Sequence, residues 1–213
     1  MKPRLLTFDI FGTVLDWRRG LTEAVAEQGR TLSAAEFDAI VDRQGALERE
    51  EPFRSYREIM AQSLVELAGV DTSVAAAIGQ GLGHWPAFPD SRAALQRLME
   101  RAPCVAMTNS DCLHGAQVQA GLGFALSAWI CAEEVRVYKP DPRFWDAAAT
   151  RLGAEHGPQW WHVSAYADYD MKTASSLGLT TVFVERPHAR PGPATHRVAD
   201  LGALVELVAG QGG

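Results

Sequence analysis

Short apolar runs, each halted by a cluster of polar residues, recur along the chain. Leu5-Leu6-Thr7-Phe8 stops at Asp9 with Gly12 close behind, and Val105-Ala106-Met107 stops at Thr108-Asn109-Ser110. Comparable runs surround Ile130 and occupy Trp161-His162-Val163 and Thr181-Val182-Phe183-Val184. Runs this short, without alternation of polar residues, suit strands buried on both faces. Helix-period segments fall between most of them, at residues 92–99, 144–152 and 172–177. The alternation predicts an α/β fold: a parallel sheet with helices on both faces.

Residues 17–85 break the alternation, because their pattern is helical throughout. Ser33-Ala34-Ala35-Glu36 has the spacing of a capping box, followed by Phe37, Ile40, Val41 and Leu47 on one stripe. Ser55-Tyr56-Arg57-Glu58 repeats the signal ahead of Ile59, Met60, Leu64 and Leu67, with Gly69 as the stop. The division that follows is a core of residues 1–16 and 86–213 and an all-helical insert of residues 17–85. The glycine-rich end, residues 210–213, is expected to fray.

Composition narrows the classes. With 47% apolar and 22% charged residues the chain has material for a real core. Lys plus Arg number 20 against 26 Asp plus Glu, a formal charge of -6. That balance argues against nucleic acid or anionic lipid as partner. Three cysteines without a CxxC spacing do not make a disulfide scaffold, so a cytoplasmic setting is expected. The longest charge-free stretch is broken by Gly79, Gly81, Gly83, Pro86 and Pro89, so no membrane span is read. The histidines show no paired metal-ligand spacing.

An open parallel sheet binds ligands beyond the carboxyl ends of its strands. Four polar clusters fall there: Asp9 to Thr13, Thr108-Asn109-Ser110, Lys139, and Asp168 to Asp170. Taken singly, each is an ordinary solvated loop. Together they deliver two carboxylates, a hydroxyl, an amide and a lysine to one rim.

In that order, Phe8-Asp9-Ile10-Phe11-Gly12-Thr13, Thr108-Asn109-Ser110, Tyr138-Lys139-Pro140-Asp141 and Asp170 resemble the motifs of the haloacid dehalogenase superfamily. The resemblance covers nearly the whole chain and implies a Rossmann-like core with the helical segment as a cap. Phosphatases of that superfamily place a second aspartate two residues after the first, as the acid for a basic leaving group. Here it is Phe11. Their further carboxylate, which helps hold magnesium, is Ala165 here. Both absences lower the oxygen-donor count for a hard cation, so neither metal nor cofactor is expected.

The resemblance therefore implies carboxylate attack on carbon. Asp9 displaces halide from the alpha carbon of a small 2-haloalkanoic acid, and water then hydrolyses the aspartyl ester. Lys139 keeps Asp9 ionised, Asp170 pairs with Lys139 or serves the hydrolytic water, and Thr13 and Thr108 donate to the Asp9 carboxylate. Asn109 offers an amide to the leaving group or oxyanion. Arg43-Gln44-Gly45-Ala46-Leu47-Glu48 resembles the cap segment that carries the substrate-binding arginine of L-2-haloacid dehalogenases. By that resemblance Arg43 holds the substrate carboxylate or the halide, beside Phe11; Trp145, where those enzymes commonly have tyrosine, reads as an apolar pocket wall or a core residue. A serine and an asparagine of those enzymes align with Ala165 and Ala167, so the ester-hydrolysing step lacks its usual residues. Three other readings stay open: a hydrolase opening a strained cyclic amino acid such as azetidine-2-carboxylate, a magnesium-dependent phosphatase, and a non-catalytic binding protein. A homodimer is implied by the resemblance alone.

Overall fold

Strands with no polar face must be covered on both sides, and the structure, a computed structural model describing residues 1–211, does this with helices. The chain runs β1 (Leu5–Phe8), α1 (Trp17–Ala26), α2 (Ala34–Leu47), α3 (Tyr56–Ala68), α4 (Thr72–Gln80), α5 (Ser91–Met99), β2 (Cys104–Thr108), α6 (Cys112–Leu122) and β3 (Ala128–Cys131). It continues through α7 (Ala132–Val135), α8 (Pro142–Leu152), β4 (Trp160–Ser164), a π-helical turn (Ala167–Met171), α9 (Lys172–Ser176), β5 (Thr180–Val184), β6 (His196–Val198) and α10 (Leu201–Gly210). The strands form one sheet of order β3-β2-β1-β4-β5-β6, parallel throughout. This is the Rossmann-like α/β core with an inserted all-helical cap that the sequence predicts. β1, β2 and β4 are buried at every residue, while the edge strands β3 and β6 are partly open.

Side chains of β1 alternate between two cores. Leu5 joins Val105, Met107, Ile130 and Trp160, and the same apolar cluster runs on without a break into Leu21, Ile40, Ile59 and Leu64 of the inserted helices. Leu6 and Phe8 join Leu95, Leu98, Leu201 and Val205 on the opposite face. The insert is thus bonded to the sheet by shared core.

Both capping boxes form. Ser33 accepts from the Glu36 amide at 3.2 Å while Glu36 accepts from the Ser33 amide at 2.8 Å, and Ser55 with Glu58 repeats the arrangement. The start of α3 has a second anchor: the buried Asp111 carboxylate accepts from the backbone N–H groups of Tyr56 (2.8 Å) and Arg57 (3.0 Å). A carboxylate there satisfies helix-end donors and complements the helix dipole.

Three helices and a strand lie outside the segments read from periodicity, α7 because it is only four residues long. α6 holds Gly115 and Gly121, and α10 opens and closes near glycines, which blurs the 3.6-residue pattern in both. β6 is three residues long, too short to register. At the glycine-rich end expected to fray, Gly210 closes α10 and Gln211 caps it; residues 212 and 213 lie outside the described chain.

Of the two readings of Trp145, pocket wall and core residue, the structure shows a core residue of α8. It is 0% exposed and meets the His162 ring edge-on at a centroid distance of 5.8 Å. Its position on the buried stripe with Phe144 and Ala148 explains the burial. Trp145→Ala is expected to cost about 3–5 kcal/mol in urea unfolding. Trp145→Phe is expected to leave the KM for any substrate unchanged, which steady-state kinetics will check.

Candidate active site

The sheet reverses its winding between β1 and β4, and that crevice is where an open parallel sheet binds ligands. Asp9 follows β1 directly. Its amide donates to the Val163 carbonyl of β4 at 3.0 Å, so the residue extends the ladder by one position and leaves its side chain at the rim. The chain then turns at Gly12, whose φ of 97° favours glycine and where a Cβ would strike the Tyr166 ring. The turn brings Thr13 back beneath the carboxylate. Thr13 Oγ1 accepts from the Ala165 amide at 2.9 Å, which directs its own proton to Asp9 Oδ2 at 2.8 Å.

The other Asp9 oxygen meets Lys139. Its Nζ lies 3.2 Å from Asp9 Oδ1 and 2.7 Å from Asp170 Oδ1, and the lysine is 2% exposed. Asn109, expected as a donor toward the substrate, is spent on the Lys139 backbone: its amide donates to the Lys139 carbonyl at 2.9 Å and accepts from the Lys139 N–H at 2.8 Å. It positions the lysine. Asp170 is held from behind by Ser164, whose hydroxyl donates to Oδ2 at 2.6 Å, and by His162, whose Nε2 lies 3.2 Å from Oδ1. His162 in turn bonds Thr7 Oγ1 at 2.8 Å, which also accepts from Trp160 Nε1 at 2.8 Å. Where Ala165 and Ala167 remove polar groups, Ser164 and His162 supply them from β4.

Burial pushes Asp9 above the ordinary carboxylate value; Lys139 opposes this, and the Asp170 charge adds to it. For Asp170 burial acts the same way, but Lys139 and then His162 outweigh it and hold the carboxyl well below the usual range. Burial also works against the Lys139 charge, yet Asp170 and Asp9 raise its value overall. The lysine is thus a fixed cation between two carboxylates of unequal basicity, and Asp9 is the more basic.

Asp9, Lys139 and Asp170 open into a cavity of about 70 Å³, room for roughly five water-sized groups. Phe11, Thr108 and Asn109 line it, although the hydrogen bond expected from Thr108 to Asp9 does not form. Trp17, Val41, Gln44, Glu48, Tyr56, Tyr166 and Tyr169 complete the lining. Val41, Gln44 and Glu48 fall at i, i+3 and i+7 of α2, so a polar interruption of an apolar stripe was the signal available for them. Gln44 is fixed by the Tyr56 hydroxyl (3.0 Å) and Ser63 (3.2 Å). Gly45 lets the Tyr169 hydroxyl approach α2, since a Cβ there would lie 2.5 Å from it.

Arg43 is a correction. Its guanidinium is held by Glu66 at 2.6 and 3.2 Å and approached by Glu50 at 3.5 Å, on the solvent side of the insert. The side chain at position 44, one residue on, takes the place facing the cleft. Arg49, which the sequence reading passed over, has no carboxylate within ion-pair distance among the described residues. It lines a groove that shares Glu48 and Lys139 with the cavity.

A hard divalent cation does not fit these residues. It asks for many oxygen ligands, whereas Lys139 already bridges Asp9 and Asp170, and Phe11 and Ala165 add no oxygen side chain.

Two outcomes follow from this geometry. Lys139→Met removes the lowering influence on Asp9, so the acid limb of Asp9 reactivity, already above the ordinary carboxylate value, is expected to move about 1–3 pH units further alkaline. The pH dependence of Asp9 modification measures it. Arg43→Ala is expected to leave the KM for any turned-over substrate within about twofold of wild type, as for a surface charge; a large rise in KM would contradict the placement.

The model of the haloacid dehalogenase-like hydrolases matches residues 3–164. The chain is 31% identical over 130 residues to (S)-2-haloacid dehalogenase 4A of Burkholderia cepacia, covering 58% of this chain and 55% of that protein. It is 30% identical over 129 residues to (S)-2-haloacid dehalogenase 1 of Pseudomonas sp. (strain CBS-3), covering 57% and 56%. The matched stretch therefore spans about half the length of these curated relatives. A solved L-2-haloacid dehalogenase superimposes with a TM-score of 0.82 at 27% identity, over 98% of this chain and 99% of that one. The L-2-haloacid dehalogenase of Xanthobacter autotrophicus with chloropropionic acid covalently bound shares the fold, with a TM-score of 0.84 at 17% identity over 98% and 99%. With a rim of this geometry and a family match over residues 3–164, the chain belongs to the haloacid dehalogenase-like hydrolases.

Proposed function

We propose that the protein cleaves the carbon–halide bond of a small 2-haloalkanoic acid through an ester on Asp9. The observation that carries this reading is the Asp9 carboxylate itself, oriented on one oxygen by Lys139 (3.2 Å) and on the other by Thr13 (2.8 Å) at the floor of a small cleft. Removed from bulk water and raised in basicity, it is a better nucleophile than a solvated carboxylate.

In the first step an Asp9 oxygen bonds to the alpha carbon as the halide leaves with the bonding pair. Halides other than fluoride are weak bases and need no proton, which suits Phe11 in place of an acid. In the second step water attacks the Asp9 carbonyl carbon and the bond from that carbon to the substrate oxygen breaks; one proton of the water leaves on the 2-hydroxy acid, the other passes to solvent, and the Asp9 carboxylate is restored. Lys139 and Thr13 face the two Asp9 oxygens throughout and stabilise the charge that develops there. Asp170 and its Ser164 and His162 contacts keep Lys139 in place. Arg49, free of an ion pair among the described residues, is the guanidinium available to the substrate carboxylate at the cleft mouth, in the role the sequence gave to Arg43. The small cavity over Asp9 suits a small substrate.

A second reading, opening of a strained cyclic amino acid by the same attack, draws support from the aromatic side chains Phe11, Trp17, Tyr56, Tyr166 and Tyr169 lining the cleft. Such faces suit a cationic ring nitrogen. Halide or amine appearing in solution separates the two.

The decisive experiment is a single turnover in heavy-oxygen water, followed by mass analysis of the Asp9 peptide. Label is expected in the Asp9 carboxylate, and Asp9→Asn, guarded against deamidation, is expected to form no ester. Label found only in the product would rule out the ester route.

A further inference from the structure

Glu48 is the one acidic group in the cleft that the nucleophile, its lysine and its supporting carboxylate leave unused. It hangs from the C-terminal end of α2, half-buried, whereas Asp9 rises from the sheet, so the two carboxyls reach the cavity from different layers of the protein. Displacement at carbon demands that arrangement, because the leaving group departs on the side away from the nucleophile. Glu48 makes no ion pair among the described residues. Its single hydrogen bond comes from Asn109, whose amide donates to Oε2 at a long 3.4 Å and leaves Oε1 without a partner.

We propose that Glu48 donates a hydrogen bond from its protonated carboxyl to the departing group while Asp9 displaces it. The inference rests on the reading of Asp9 as nucleophile. The carbon–halogen bond breaks with its electron pair on the halogen, the carbon–oxygen bond forms to Asp9, and the proton stays on Glu48. Its benefit grows with the basicity of the departing ion: small for bromide, larger for chloride, largest for fluoride.

The surroundings support a neutral acid. Burial pushes the Glu48 carboxyl up to about 8, with Asn109, Lys139 and Arg49 only partly opposing. Of the other groups facing it, Tyr56, Tyr138 and Tyr169 are all displaced upward by burial, and Lys139 is raised by its carboxylate partners. At the cleft floor Asp170 is held well below the usual carboxylate range by Lys139 and His162, while burial raises Asp9. The Glu48 carboxyl therefore keeps its proton through neutral pH.

The test measures single-turnover ester formation on Asp9, by intact mass, with 2-fluoro-, 2-chloro- and 2-bromopropionate. Glu48→Ala is expected to slow the fluoro acid about 10²-fold and the bromo acid by less than about threefold, the loss typical of one donor to a developing anion. Glu48→Gln, which keeps an N–H donor and the side-chain volume, is expected to restore most of the rate. In the wild type, the fluoro acid is expected to lose ground to the bromo acid above about pH 8. Equal slowing of all three halides in Glu48→Ala, or wild-type esterification of the bromo acid with none of the fluoro acid, would overturn the role of Glu48 alone. Absence of ester in the wild type with every haloacid would overturn the reading of Asp9 and this inference with it.

Discussion

One buried ammonium organises this protein. Lys139 sits between two carboxylates with almost no water to share its charge, 2.7 Å from Asp170 and 3.2 Å from Asp9. Breaking such a pair by removing one partner leaves an uncompensated buried charge and costs about 3–5 kcal/mol. The three groups come from the ends of β1, the segment after β3 and the turn after β4, so the pairing requires the parallel sheet to be in register. Asn109, from the end of β2, closes the set by holding the Lys139 backbone on both sides. Four chain segments meet to hold one charge.

That arrangement divides labour between the carboxylates. Asp170 receives the shorter contact, together with Ser164 and His162, and stays ionised. Asp9 has the longer contact and the cleft opening beside it, and burial raises its basicity. Asp170 gains His162 as well as Lys139, whereas Asp9 feels the Asp170 charge, so environment sets the two carboxylates apart.

Much of the fold was legible because its rules are local. Uninterrupted apolar runs require buried strands, and the Ser33 and Ser55 capping boxes mark helix starts that the structure reproduces. The rim residues were legible as polar stops at strand ends. What sequence did not reveal is direction. Arg43 shares a helix with the cleft residues Val41 and Gln44, but its side chain is captured by Glu66, 23 residues away, and no spacing rule reports such a partner. Trp145 follows the lysine motif closely yet points inward, because α8 buries the face that carries it. The enclosure of Glu48 by Tyr56, Asn109 and Tyr169 exists only after folding.

The apolar cluster that runs from Leu5 in the sheet to Leu64 in the insert has a consequence for how the molecule loses its structure. Helices that share side-chain contacts with the strands beneath them, and whose α3 start is tied to Asp111 beyond β2, cannot detach without uncovering that apolar surface to solvent. The inserted layer and the sheet are therefore a single cooperative folding unit, and denaturation dismantles the cleft and its scaffold together.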